Sequence, residues 1–142
     1  MTTLEKCVFC KIVHGQDEKT EILHKDERIV VFRDIRPATP HHYLVVTKEH
    51  IPDAKQLKYS HIELVESMIA IGKDVVTRQG GDVDDLRMGF HWPPFHAISH
   101  LHLHVISSTS KIGWIASGIY MINSPWFASV DWLLKRLKGM AP

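Results

Sequence analysis

The sequence is poor in the features that most quickly betray a function. Only 2 cysteines occur in 142 residues, Cys7 and Cys10. They are too close in sequence to staple a fold, and in a reducing compartment a Cys-x-x-Cys reads as metal-binding or redox-active. Charge of neither sign dominates: 17 Lys+Arg stand against 16 Asp+Glu, for a net charge of +1. No strong field therefore points to nucleic acid or to a membrane surface. No apolar run approaches the roughly 20 residues of a membrane-spanning helix. Internal repeats and low-complexity tracts are lacking as well. Residues 1–6 carry no apolar segment of the kind a secretory leader has. The expected location is intracellular, in the cytoplasm with the nucleus as a second compartment. What remains is an ordinary globular composition, 44% hydrophobic and 23% charged, in a length that suits a single domain over 1–142 with a real core.

Histidine is the exception, with 11 residues concentrated at 41–42, 50, 91, 96 and 100–104. In Ser99-His100-Leu101-His102-Leu103-His104-Val105-Ile106-Ser107 three histidines alternate with apolar residues. Strict alternation is the period of a β-strand. On a strand, His100, His102 and His104 share one face, and Leu101, Leu103 and Val105 share the other. At roughly 3.3 Å of rise per residue, neighbouring imidazoles stand about 6.6 Å apart, the span of one phosphate group. The apolar face anchors the strand and the imidazoles line a site. A solvated edge strand would more often carry Thr, Lys or Glu on such a face.

Along the chain, Cys7-Val8-Phe9-Cys10-Lys11-Ile12-Val13-His14 reads as a short helical turn stopped by Gly15. The cysteine spacing suits two of four ligands of a structural zinc, with His50 and His100 as the candidate partners, or else two packed thiols. Strands are expected at 21–24, 28–33, 42–47 and 86–91, besides the histidine strand. The loop Asp34-Ile35-Arg36-Pro37-Ala38-Thr39-Pro40 directly follows a strand, where ligand contacts are common. An ionised Asp34 could accept hydrogen bonds from a pair of sugar hydroxyls, or cap a turn. From Ser60 to about Gln79 an apolar stripe at three- and four-residue spacing predicts a covering helix, with Ser60 and Glu63 as a capping box and Gly80-Gly81 as its stop. Trp92-Pro93-Pro94-Phe95-His96-Ala97-Ile98 is a stiff loop. The aromatic tail beyond 108 suggests docking on the domain or on a second subunit, and a last helix is expected from about Ser129 to Lys138.

Imidazole can be a nucleophile, a general acid or base, or a metal ligand. One reading makes a His-x-His pair part of a catalytic zinc site, which needs a third ligand that no carboxylate supplies at the usual short spacing. The other makes His102 attack a phosphorus atom. His100 and His104 then orient the ring and hold the nonbridging oxygens, and a phosphoramidate intermediate splits one displacement into two.

His100-Leu101-His102-Leu103-His104-Val105-Ile106 resembles the signature His-φ-His-φ-His-φ-φ of the histidine-triad (HIT) superfamily. The upstream blocks agree, namely Phe32-Arg33-Asp34-Ile35-Arg36-Pro37, His41-His42-Tyr43-Leu44-Val45-Val46-Thr47-Lys48-Glu49-His50-Ile51 and Arg87-Met88-Gly89-Phe90. The resemblance is nearest to the nucleotide-binding phosphoramidase branch, while Asn123-Ser124-Pro125-Trp126-Phe127 also resembles the tail of aprataxin, a member that removes AMP from DNA ends. It implies the α+β HIT fold, an antiparallel sheet of about five strands under a long covering helix. The core would span about residues 7–108 and a C-terminal helical extension 109–142. It further implies a homodimer or higher homo-oligomer, a small purine nucleotide as substrate, and hydrolysis of adenosine 5′-phosphoramidates. An AMP-binding module without turnover, or an enzyme of adenylylated DNA ends, are the alternatives. By motif position His102 is the nucleophile and His100 and His104 are the flanking triad members. Asp34, Ile35, His91, His96, His102 and His104 are the expected nucleotide contacts. No cofactor is required for catalysis, and Cys7, Cys10, His50 and His100 would hold a structural zinc. Many members carry Ser or Gln shortly before the triad; here those positions are His96 and Ala97, and Ala97 has no side-chain donor.

Overall fold

The computed structural model describes residues 7–15, 19–95 and 98–142. Helix α1 (Val8–Val13) is followed by strands β1 (Ile22–Lys25), β2 (Ile29–Arg33) and β3 (His41–Thr47). The long helix α2 (Ile62–Arg78) precedes β4 (Leu86–His91) and β5 (His102–Ser107). The extension supplies α3 (Trp114–Ile119), β6 (Phe127–Ser129) and α4 (Val130–Lys138). All strands pair antiparallel in one sheet of order β1-β2-β3-β5-β4-β6. Among the described residues, no helix is long and apolar enough to cross a membrane.

Alternation decides which face each residue serves. Val31, Tyr43, Val45, Leu103 and Val105 pack with Val65, Met68, Val75 and Val76 of α2 and with Leu133 and Leu137 of α4. The next residues along, Val30, Phe32, Leu44 and Val46, pack with Cys7, Phe9, Cys10, Ile12 and Val13 of the N-terminal turn. Leu44 is paired with His104 and Val46 with His102. Directly paired residues share a face, so the triad lies on the face of α1, opposite α2. Helix α2 comes close to the sheet because residue 72 is Gly; a Cβ there would stand 2.8 Å from a Val105 methyl.

Three details differ from the sequence reading. The sheet has six strands, because Phe127–Ser129 pairs with Gly89, Phe90 and His91. Three residues, Phe-Ala-Ser, are too few to show a period. The histidine strand begins at His102, since the Leu101 N–H donates to the Ile51 carbonyl instead of to the ladder (2.6 Å). Helix α2 is entered through a 3₁₀ turn, Tyr59–His61. Ser60 therefore sits inside the turn, and the Lys58 N–H donates to His61 Nδ1 (2.9 Å). The tail docks on its own domain: Arg87 donates to the Tyr120 carbonyl (2.9 Å) and the Trp92 N–H to the Trp126 carbonyl (3.0 Å), while the Trp126 indole braces the tail itself by donating to the Gly118 carbonyl (2.7 Å).

Candidate active site

His102 is half-buried on β5, in edge-to-face contact with Phe9 (centroids 5.0 Å, 85°) and with His104 (5.0 Å). Its Nδ1 lies 2.7 Å from the His100 main-chain carbonyl. A carbonyl only accepts, so Nδ1 carries the proton and Nε2 carries the in-plane lone pair. That is the tautomer a nucleophile needs.

The other imidazoles around it hold the opposite tautomer. The Ala38 N–H donates to His42 Nδ1 (2.9 Å), so the His42 proton is on Nε2. His42 Nε2–H donates to His104 Nδ1 (2.9 Å), which puts the His104 proton on its own Nε2. His104 Nε2–H donates to His91 Nδ1 (3.2 Å), and His91 Nε2–H to the Ile119 carbonyl (3.3 Å). One main-chain donor and one main-chain acceptor thus impose the same direction on a relay of three neutral imidazoles. An added proton would set two donors against each other. Burial, followed by the neighbouring His91, lowers His42 to about 4. Burial first, then His102, His42 and His91, hold His104 well below its ordinary range.

Asp34 borders this relay, with Oδ2 3.4 Å from His42 Nε2 and 3.8 Å from His104 Nδ1. Its other oxygen accepts from the Arg36 N–H (2.8 Å). Burial raises its carboxyl above the usual range, against the opposing pull of that hydrogen bond and of His91 and Arg36. Ile35, beside it, is 94% exposed. His96 and Ala97 lie outside the described residues.

His100 differs from its triad neighbours. It is fully buried, and its ring turns away from His102. Its Nε2–H donates to the Thr47 carbonyl (2.6 Å), so Nδ1 is a lone pair, 3.3 Å from Cys7 Sγ and 3.4 Å from Cys10 Sγ. His50 Nδ1 lies 3.1 Å from Cys10 Sγ. What His100 gives the nucleophile is its carbonyl, not its ring. Four soft or borderline donor atoms converge within 4.8 Å. A Cys₂His₂ set with one imidazole oriented by a carbonyl behind it fits a tetrahedral zinc. Burial and the adjacent Cys7 push the Cys10 thiol up to about 11, so the pair becomes thiolate only with a cation to stabilise it.

Asp34, His42 and His104 form a second converging group, and here a carboxylate does join two histidines. The fit fails on proton placement. The Ala38 N–H fixes the His42 proton on Nε2, the atom that would have to coordinate. The group is a hydrogen-bond relay.

His42, Tyr120 and Phe127 were missed in the sequence as parts of this site. The tyrosine ring packs against His42, His91 and His104 (5.1, 5.3 and 5.0 Å), and Phe127 against His91 (5.0 Å). His42 could have been found: it precedes Leu44 and Val46 at strand period, on the triad's face. Nothing in the tail's pattern marked Tyr120.

Sheet, covering helix and a histidine row on the open face define a histidine-triad protein. Residues 6–119 match the family described as scavenger mRNA decapping enzyme C-term binding, and the chain belongs to that family within the histidine-triad superfamily. It is similar to adenosine 5′-monophosphoramidase HINT3 of Mus musculus, with 50% identity over 134 residues, 93% of this chain and 81% of that protein. A HIT family hydrolase from Clostridium thermocellum has the same fold, with a TM-score of 0.70 and 28% identity, covering 78% of this chain and 97% of that one. Zebrafish (Danio rerio) aprataxin is 37% identical over 94 residues, 65% of this chain but 28% of aprataxin.

Proposed function

We propose that this chain hydrolyses adenosine 5′-phosphoramidates, such as AMP-lysine and AMP-NH₂ and by the same chemistry aminoacyl-adenylates, and releases AMP through an adenylyl-His102 intermediate. The observation that carries the reading is the hydrogen bond from His102 Nδ1–H to the His100 carbonyl, which leaves the lone pair on Nε2. Nε2 attacks the α-phosphorus and the bond to the leaving group breaks: in a phosphoramidate the P–N bond, whose amine departs with a proton taken from water, and in an aminoacyl-adenylate the P–O bond, whose carboxylate departs without one. Water then attacks the adenylyl-imidazole, giving AMP and restoring the ring. Asp34 meets the ribose hydroxyls as an acceptor, and Ile35 lies against the nucleoside. The neutral relay places no negative charge beside the phosphate apart from Asp34. The mouse relative, an adenosine 5′-monophosphoramidase similar to this chain over most of both lengths, supports the reading.

Cys7, Cys10, His50 and His100 would hold a structural zinc, which ties the N-terminal turn to the start of β5 and supplies no step of the reaction. A homodimer and a cytoplasmic and nuclear location are proposed with it, on the family resemblance; light scattering and a fluorescent fusion test them. The activity test incubates the protein with AMP-lysine, adenosine phosphoramidate and a nicked 5′-adenylylated duplex. AMP release from the small substrates, and far slower release from DNA at physiological salt, is expected, because a balanced surface offers few phosphate contacts. Binding of AMP without any turnover would make the chain a binding module. Comparable kcat/KM on the duplex would favour the aprataxin-like reading.

A further inference from the structure

The match to the family covers residues 6–119, and the site continues beyond it. Tyr120 closes the last turn of α3, its N–H donating to the Ala116 carbonyl (2.9 Å), while its own carbonyl accepts from Arg87 (2.9 Å). Its position is therefore fixed by main chain and by β4. From there its ring covers His42, His91 and His104, and is backed by Phe127 (5.5 Å). The residue before it supplies the carbonyl at which the relay ends.

We infer that Ile119 and Tyr120 are positioning residues for the histidine chemistry, holding His91 in the one ring orientation and tautomer that accepts the His104 N–H. An imidazole flipped by half a turn keeps nearly the same shape but exchanges N for C–H. Packing volume alone does not prevent that flip; hydrogen-bond partners and a flat wall do. If His91 turned, a C–H would face the Ile119 carbonyl and another would face His104. Both hydrogen bonds of His91 would be lost, and the His104 Nε2–H, whose proton His42 still imposes, would lose its acceptor beside His102. The Tyr120 ring lies against both imidazoles and blocks the rotation. It acts on the reaction through them.

The kinetic half of the test rests on the phosphoramidase reading; the spectroscopic half does not. In the full chain at rest, two-bond ¹H–¹⁵N spectra should show His42, His91 and His104 protonated on Nε2 and His102 on Nδ1. Tyr120→Phe, which keeps the ring, should keep that pattern. Tyr120→Ala should show His91 averaging between tautomers, while His104 keeps the Nε2 proton that His42 imposes. With adenosine phosphoramidate, Tyr120→Ala should lower kcat about tenfold with KM within about twofold, while Tyr120→Phe stays near the natural rate. Should the alanine variant not fold, Tyr120→Leu fills the space without a flat wall and should give the same two results. Unchanged tautomers in Tyr120→Ala or Tyr120→Leu would overturn the inference. So would a rise in KM at constant kcat, which would make Tyr120 a substrate contact. If the natural chain turns nothing over, the function proposed above fails, and the tautomer pattern alone decides this inference.

Discussion

His100 and His104 are four residues apart, and both are buried. Both are Nε2–H imidazoles whose basicity is lowered chiefly by burial, His100 to about 4. Their surroundings nevertheless make opposite chemistry. The lone pair of His100 faces two sulfurs, and His50 Nδ1 lies against one of the same sulfurs, so four ligand atoms converge on one point. The lone pair of His104 faces an N–H, its own N–H faces another lone pair, and the row closes on itself. Burial and titration do not separate a metal set from a relay. The direction of each N–H does, and a carbonyl or an amide of the main chain sets it.

The largest effect expected is at the residue between the two clusters. His102→Asn should cut AMP release from adenosine phosphoramidate at least about 1,000-fold, because the covalent route is lost. Residual turnover near the natural rate would move the nucleophile elsewhere. The metal set comes next. Purified protein should contain about one zinc per chain, and a Cys7→Ser, Cys10→Ser double variant none. If free zinc stands about 1,000-fold above its Kd, chelation should lower stability by about 4 kcal/mol in denaturant titration. A metal-free natural protein would make the cysteines packing residues and collapse the contrast drawn here.

The relay should show itself through pH. His42 is neutral in the folded protein down to about 4, and its ordinary value is 6.5. Between those values only the unfolded chain takes up the proton, so stability falls as pH drops from 6.5 toward 4, by about 3 kcal/mol for this residue alone. His104 adds to the fall in the same direction. Urea titrations at pH 7.5 and 4.5 measure it, and a flat profile would mean that the relay accepts protons. The smallest effect is at Gly89, where a Cβ would meet the Ala128 carbonyl at 2.6 Å and the Phe127 ring at 2.7 Å. Gly89→Ala should cost about 2 kcal/mol and loosen Phe127 from His91. Loss of stability with unchanged kcat would separate the extension from the relay.

Much of this was legible in the sequence. The alternation at 100–105 correctly placed Leu103 and Val105 in the main core and His102 and His104 opposite it. The Cys-x-x-Cys pair and the two histidines proposed for it do converge, although 93 residues separate Cys7 from His100. The direction of the N–H bonds was not legible, because it depends on main-chain groups that only the fold brings up: Thr47 at the end of β3, Ala38 in the loop before that strand and Ile119 at the end of α3. Nor were Tyr120 and β6. A lone tyrosine after a six-residue helix and a three-residue strand have no period, and their place is set only by contact with β4.

The pairing of β6 with β4 also changes what the sheet offers to other molecules. An unpaired strand edge is a row of donors and acceptors that can template another chain. Here one flank of the sheet ends in the four residues of β1, interrupted by a register shift between Ile22 and His24. The other ends in the three residues of β6, and Ser129 turns the chain at once into α4 by capping the Trp132 N–H. Beyond β6, only Leu86, Arg87 and Met88 of β4 leave their outer side outside the ladder. Among the described residues neither flank is long or flat, so edge-to-edge stacking of folded chains is disfavoured.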